Sequence, residues 1–308
     1  VQLDFARNGQ YYGTPAALEK LSLIVYADAT ARATALEAGD VDVASIDVAS
    51  VRNLESIDTI EIKEAPTTKS CLVAMNISSD TFSDVKVRQA ISCAIDKEYI
   101  VEATQRGYGT VSNEVYPESV FGYSDQIKGY SYDVEKAKSL LADAGYADGL
   151  TLTLSITSGN TTEAQIAAIL KEQWAQAGVT LEVTQYDAAT LTAMKKNGEY
   201  QVGLTNLGRT GPDSALALSF IVYNPITNGM YTGWQNDECE SLYLASCSEL
   251  DVEKRAEMWA RMQEIELDEA PLIPTYVNQD VYAMHSNVSG VQYNLFLGIL
   301  PYTMQKTV

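Results

Sequence analysis

An α/β layered fold is predicted by three observations. Short β-branched runs alternate with amphipathic stretches along the chain. Asp, Asn or Thr stands ahead of most amphipathic stretches, where a side-chain oxygen can cap a helix. Glycine stands behind them, where its freedom at positive φ lets a helix stop. With 308 residues, 46% of them hydrophobic and 20% charged, the chain can bury the cores of roughly one to two globular units.

The elements follow in order. "LEKLSLIVYAD" alternates as a strand, Asp28 or Thr30 caps the short helix "ATARATALEAG", and Gly39 closes it. "DVDVASID" and "KSCLVAMNIS" read as further strands. From Ser83 the stretch "DVKVRQAISCAIDKEYIVEATQRG" is helical, with Val87, Ile91, Ala94 and Ile95 on one stripe. Asp96 is placed to cap a second helix and Gly107 to end it. A loop rich in Gly, Pro, Tyr and Ser runs over 108–132, long enough to be either a binding element or a packed surface loop.

Asp133 caps "VEKAKSLLADAG", closed by Gly145, and "LTLTLSIT" is a strand. Asn160 and Glu163 have capping-box spacing ahead of a helix whose inward stripe is Ile166, Ile169, Leu170 and Trp174, ended by Gly178. "VTLEVTQYD" and "YQVGLTNLG" are strands. A long helix starts at Asp251 with Met258, Met262 and Ile265 as a core stripe, and "APLIPTYVNQDVYAMHS" is an extended crossing segment.

Composition removes several function classes. Forty-one acidic against 21 basic residues give a formal charge of −20, which repels phosphate backbones and argues against nucleic-acid partners. The four cysteines (Cys71, Cys93, Cys239, Cys247) form no CxxC pair, and with His285 as the single histidine a Cys/His metal site has little to work with. One or two disulfides stay open for an exported protein, although Cys93 sits in an apolar helical pattern and reads as a buried thiol. GxSxG, HExxH, GxxxxGK[ST] and GxGxxG are absent, and nucleophile–histidine pairs would all require His285, in a predicted strand. The expectation is a binder, with no enzymatic activity, no cofactor and no metal. No apolar run approaches the roughly 18 residues of a membrane span.

Three blocks carry a resemblance. "FSDVKVRQAISCAIDKEYIVEATQRGYGT" is followed by "YSYDVEKAKSLLADAGYADGLTLTL"; ahead of them stands "LEKLSLIVYADATARATALEAGDVDVA", and behind them "DVEKRAEMWARMQEIELDEAPLIPTYVNQDVYA". In this order they resemble the family 5 (peptide/nickel-binding) solute-binding proteins of ABC transporters. The resemblance implies a type II periplasmic-binding-protein-like fold, truncated. Residues 1–77 and 277–308 would be part of domain I, and 78–276 a complete domain III. The N-terminal part of domain I, domain II and the signal sequence would lie outside this chain. Hinge crossings would fall near Ser78–Ser83 and Pro274–Val277.

It also implies a function: binding a peptide or similar small solute in an interlobe cleft and delivering it to ABC permease subunits. The location would be extracytoplasmic, either periplasmic or as a cell-surface lipoprotein, and the protein a monomer. The alternatives are a non-peptide solute (an oligosaccharide, an opine-like anion or a metal chelate) or a sensor not engaged in transport.

Ligand-binding candidates follow from the same resemblance. Peptide-binding relatives carry an aspartate for the peptide ammonium in a segment that "TNLGRTGPD" matches. Anchored on Pro212, Thr205 replaces a tryptophan, Gly208 the aspartate and Arg209 a tyrosine, so the ammonium partner is absent. Asn206, Leu207, Thr210 and Asp213 belong to the same stretch. Arg209 is expected to select a ligand with an acidic or hydroxyl-rich group. Thr67, Leu72 and Ala74 are placed on the strand that lines the cleft in relatives, and Tyr231 and Trp234 as faces on which a ligand stacks.

Overall fold

The computed structural model describes residues 1–115, 117–118, 120–208, 221–222, 231–295 and 298–307. They form an α/β protein of two units, 1–67 with 279–308 and 68–278.

In the smaller unit β1 (Gln2–Ala6) and β2 (Lys20–Ile24) pair antiparallel, with Gln2 opposite Ile24 and Ala6 opposite Lys20. Strand β1 is not among the strands the sequence predicts, because its alternating Leu3 and Phe5 face no core and stay about half exposed. Helix α1 (Ala29–Glu37) starts at Asp28, whose carboxylate accepts from Ala31 N–H at 2.8 Å; of the two candidate caps this residue does the work. Strand β3 (Val43–Ile46) and helix α2 (Val48–Glu55) follow.

Strand β4 (Ile60–Met75) carries the chain from the smaller unit into the larger. Next come α3 (Asp80–Ser83), α4 (Val85–Cys93), α5 (Lys97–Gln105) and the short β5 (Gly109–Val111). Asp84 and Asp96 cap α4 and α5, accepting from Lys86 N–H and Tyr99 N–H. The end of α5 is shared: Arg106 takes the left-handed conformation at φ 51°, and Gly107 follows at 89°. The 108–132 loop begins as β5, and Lys97 Nζ fastens it by donating to the Ser112 carbonyl at 3.2 Å and to Asn113 Oδ1 at 3.0 Å.

Helix α6 (Val134–Asp143) leads into β6 (Leu150–Thr157), α7 (Thr161–Gln176), β7 (Val179–Tyr186), α8 (Ala188–Asn197) and β8 (Val202–Leu207). The β6–α7–β7 and β7–α8–β8 connections leave β7 and β8 parallel to the intervening β6, the arrangement expected of crossover helices. The capping box of α7 is half formed. Asn160 Oδ1 accepts from Glu163 N–H at 3.1 Å, but the Glu163 carboxylate takes Thr157 N–H and the Asn160 side-chain amide, because the Asn160 N–H already donates to the Thr157 carbonyl.

Helices α9 (Asp237–Ser246) and α10 (Val252–Glu269) pack on each other, and β9 (Leu272–His285) returns the chain to the smaller unit. There β9 pairs with β3, Val43 opposite Met284, and the short strands β10 (Val288–Ser289), β11 (Gln292–Asn294), β12 (Gly298–Leu300) and β13 (Gln305–Lys306) complete the unit. The two compact units divide at 67/68 and 278/279, inside the two long strands.

The larger unit has two apolar clusters. One gathers Ile91, Leu154, Leu170 and Trp174; the other gathers Leu207, Trp234, Trp259 and Met262. The α7 stripe is buried as its spacing predicts, with Ile169 only partly so. In α10, Trp259 is the fully buried residue that the Met258–Met262–Ile265 stripe does not include. Arg88 ties the two ends of this region together. Its guanidinium donates to the carbonyls of Phe82 (2.7 Å), Ser83 (3.1 Å) and Glu269 (2.6 Å), so α3 and the end of α10 share one buried cation supplied by α4. The four cysteines are free thiols, three buried and Cys247 exposed.

Leu170→Ala is expected to lower unfolding free energy by about 2–5 kcal/mol, since Leu170 is fully enclosed and the site is walled by strands that cannot collapse inward. Urea denaturation followed by tryptophan fluorescence measures it.

Candidate functional site

The site candidates on β4 and β8 meet in one antiparallel ladder. Ser70 faces Leu207, Cys71 faces Asn206, Leu72 faces Thr205 and Ala74 faces Gly203. Residues directly opposite share a face, so Leu72, Ala74, Thr205 and Leu207 point one way, and Cys71, Val73, Met75 and Asn206 the other. The first face is covered. Leu72, Ala74 and Leu207 pack with Trp234, Trp259 and Met262, leaving Leu72 and Ala74 no surface on which a ligand could rest. Their expected place on a cleft wall is corrected to a place in the core. Thr205 is half-buried, while Asn206 and Gly208 are exposed at the strand end. Thr67 is buried and belongs to the smaller unit. Arg209, Thr210 and Asp213 lie outside the described residues.

Gly208 occupies a tight place. A Cβ there would fall 2.7 Å from Lys69 Cγ and 3.1 Å from Lys69 Cα. Lys69 is next in register beyond the Ser70–Leu207 pair, so its stem lies where a side chain at position 208 would begin. An aspartate at this position would need Lys69 to move. Five residues further back, Gly203 leaves room for Lys195, which lies across β8 and donates to the Leu204 carbonyl at 2.6 Å. Burial holds the Lys195 ammonium below the usual lysine range.

The 231–236 segment has a structural role that the sequence does not announce. Tyr231 takes φ 71°, an uncommon place for a bulky residue, and its carbonyl accepts from Tyr200 Oη at 2.9 Å. The Thr232 carbonyl accepts from Ile77 N–H at 2.8 Å, and a Cβ on Gly233 would collide with Ser78 Oγ, so the segment is pressed on the 76–79 turn. Trp234 is only 2% exposed, and its indole N–H donates to the Glu269 carboxylate, which also takes the Asn236 side-chain amide at 2.8 Å. Trp234 is therefore an anchor from this segment to α10, and the expected stacking face is corrected. Tyr231 keeps a partly exposed ring.

Beside that turn lies a groove of about 390 Å³ lined by Asn76, Ser78, Ser79, Thr153, Ser155, Tyr186, Tyr200 and Gln201 among others. Its polar groups are largely bound to one another. Asn76 Nδ2 donates to the carbonyls of Gly198 and Tyr200, and Gln201 Oε1 accepts from Thr153 N–H. His285 stands in β9 with Nε2 at 3.0 Å from the Leu36 carbonyl oxygen, an ordinary strand histidine.

Comparison with known proteins decides the family. Residues 1–228 match the profile described as "Bacterial extracellular solute-binding proteins, family 5 Middle". The chain belongs to this family. It is similar to Heme-binding protein A of Haemophilus influenzae, 29% identical over 96% of this chain and 56% of that protein. It is also similar to the Dipeptide-binding protein of Escherichia coli, 27% identical over 85% of this chain and 50% of that protein. The structure of HbpA2 from Haemophilus parasuis superposes with a TM-score of 0.87 at 25% identity, covering 100% of this chain and 62% of that one. The fold is thus the type II periplasmic-binding-protein fold of the family, and the chain spans about half the length of the curated relatives it matches. Among the described residues no helix is long and apolar enough to cross a membrane.

Gly208→Ala is expected to cost about 1–3 kcal/mol through the forced contact with Lys69. Lys69→Ala in the same chain should recover part of it, and a double-mutant cycle of thermal denaturation reads the coupling.

Proposed function

We propose that the polypeptide carrying this chain is the solute-binding component of an ABC importer, which presents a peptide or similar small solute to permease subunits outside the cytoplasm. The family match over residues 1–228 supports this reading and favours binding over catalysis. The larger unit is then domain III and the smaller one part of domain I. The smaller unit presents Leu3, Phe5, Leu23 and Val25 about half or more exposed, beside a cavity of about 720 Å³ lined by Leu21, Leu23, Val43 and Ile299. Apolar strand faces of that kind are what the remaining length of the relatives would cover.

A second reading concerns the solute, and the Gly208–Lys69 contact favours it. Lys69 occupies the place of an acidic partner for a free ammonium, and Arg209 follows directly in sequence. The solute is then one that brings an anionic or hydroxyl-rich group to this strand end: an acidic or N-blocked peptide, or a non-peptide anion. Loss of one charge-assisted hydrogen bond to an ammonium weakens a simple peptide by about 1.5–3 kcal/mol.

Thermal stabilisation of the full-length polypeptide by neutral peptides, acidic peptides, sugars and metal chelates tests both readings. A solute at a hundredfold its Kd stabilises by about 2.7 kcal/mol. The expected result is a shift with anionic solutes that Arg209→Ala reduces about ten- to a hundred-fold in affinity. A shift with neutral peptides that Arg209→Ala leaves untouched overturns the anionic reading, and no shift with any solute of the panel counts against the importer reading.

A further inference from the structure

Helix α10 buries a carboxyl with nothing to answer it. Glu266 is 4% exposed, and neither of its carboxyl oxygens has a hydrogen-bond partner. It lines a cavity of about 10 Å³ together with Glu114, Val115, Gln263 and Leu272. Gln263 is fixed in orientation, because its amide nitrogen donates to the carbonyls of Gly122 and Trp259, and its Oε1 is buried without a partner. Glu114, also buried, accepts from Ser124 N–H at 3.2 Å through one oxygen. The cavity therefore collects acceptors and lacks donors.

A cavity of this size is about one water molecule. One proton and one water answer all but one of these acceptors, the second Glu266 oxygen. The protonated Glu266 hydroxyl donates to the water, and the water donates to Gln263 Oε1 and to the Glu114 carboxyl. A hard cation fits less well, because calcium takes about six to eight oxygens, and among the described residues no group of three or more His, Cys, Asp or Glu stands ready to hold a metal.

We propose that Glu266 is a neutral acid sharing one internal water with Gln263 and Glu114, and that loss of its proton loosens α10 from the 112–124 loop. Among the described residues no cation pairs with the Glu266 carboxyl. Arg261 pairs with Glu238 and Glu264, Arg88 serves Phe82, Ser83 and Glu269, and Lys128 donates to the Asp125 carbonyl. Arg255 lies over the Phe121 and Trp259 rings, and Lys97 serves Ser112 and Asn113. The other titratable neighbours, Cys239 on α9 and Tyr123 and Asp125 on the loop, are neutral or negative. Because Glu269 of the same helix holds Trp234 and Asn236, the loosening reaches the 231–236 segment.

Burial pushes Glu266 up to about 8 from an ordinary value of 4.5, and Glu114 up to about 7. Between 4.5 and 8 the folded chain keeps a proton that the unfolded chain has shed, so stability falls as pH rises through that window. Lys97, pulled down to about 8 by burial, acts in the opposite sense above that pH, so the reading belongs between about 5 and 8.

The test is the melting temperature of the 308-residue chain against pH for the wild type, Glu266→Gln and Glu114→Gln. It is paired with infrared detection of a protonated carboxyl in the wild type. The expected result is a wild-type Tm that declines from pH 5 to 8, a flatter profile in Glu266→Gln and a carboxylic-acid band at pH 7. Glu114→Gln should keep the part of the decline that lies nearest pH 8. An unchanged slope in Glu266→Gln, absence of the band at pH 7, or stabilisation by added calcium that Glu266→Gln abolishes would each overturn the proposal. If Glu266→Gln does not fold, the infrared band at pH 7 in Glu114→Gln decides the matter, because Glu114, pushed up to about 7, would itself contribute to the wild-type band.

Discussion

Strand β4 is buried on both faces through Cys71–Met75, and the larger unit is built around that constraint. Cys71, Val73 and Met75 enter one apolar cluster, Leu72 and Ala74 the other. A strand so placed has no register freedom, since a slip of one residue would exchange the two sets and put side chains of different volume into both cores. Its partner β8 is thereby fixed, and with it the positions of Asn206 and Gly208 at the strand end. The Thr275 hydroxyl donates to the Cys71 carbonyl at 2.6 Å, so β9 is also indexed to this strand.

The same constraint explains why the candidate site lies at the strand end. A residue in the middle of β4 or β8 that points into a core cannot also face a solute. What remains accessible is the edge where the ladder runs out, and there the backbone of position 208 comes so close to Lys69 that glycine is the residue that fits without movement. The 231–236 segment is held beside the 76–79 turn by backbone hydrogen bonding and by the Trp234–Glu269 contact. In this reading Trp234 shapes the site by holding its wall.

Helix positions were legible in the sequence because capping is local chemistry. Asp96, Asp133, Asn160 and Asp251 each accept from an N–H two or three residues ahead, as their spacing predicts. Strand β6 is legible because its sequence, LTLTLSIT, alternates apolar and polar residues. The family was legible from the order of its blocks, and the profile match agrees. Side-chain direction at the site was not legible. Whether Leu72 faces solvent or a core depends on what packs over it, and α10 arrives there from nearly two hundred residues downstream. Glu266 escaped notice for a related reason: among 41 acidic residues, sequence alone gives no sign that one of them is sealed inside.

Charge argues both for and against an anionic solute, and distance decides between the two. A chain with a formal charge of −20 repels anions at long range, yet at physiological ionic strength that field is screened beyond about 8 Å. A contact made within a few ångströms of a protein cation is screened much less, particularly once water is displaced from it. The overall acidity should therefore slow the approach of an anion, most at low salt, while the local cations govern how long it stays. Net charge alone is therefore a poor guide to the sign of a solute, because it acts at long range while a solute is held by the groups it touches.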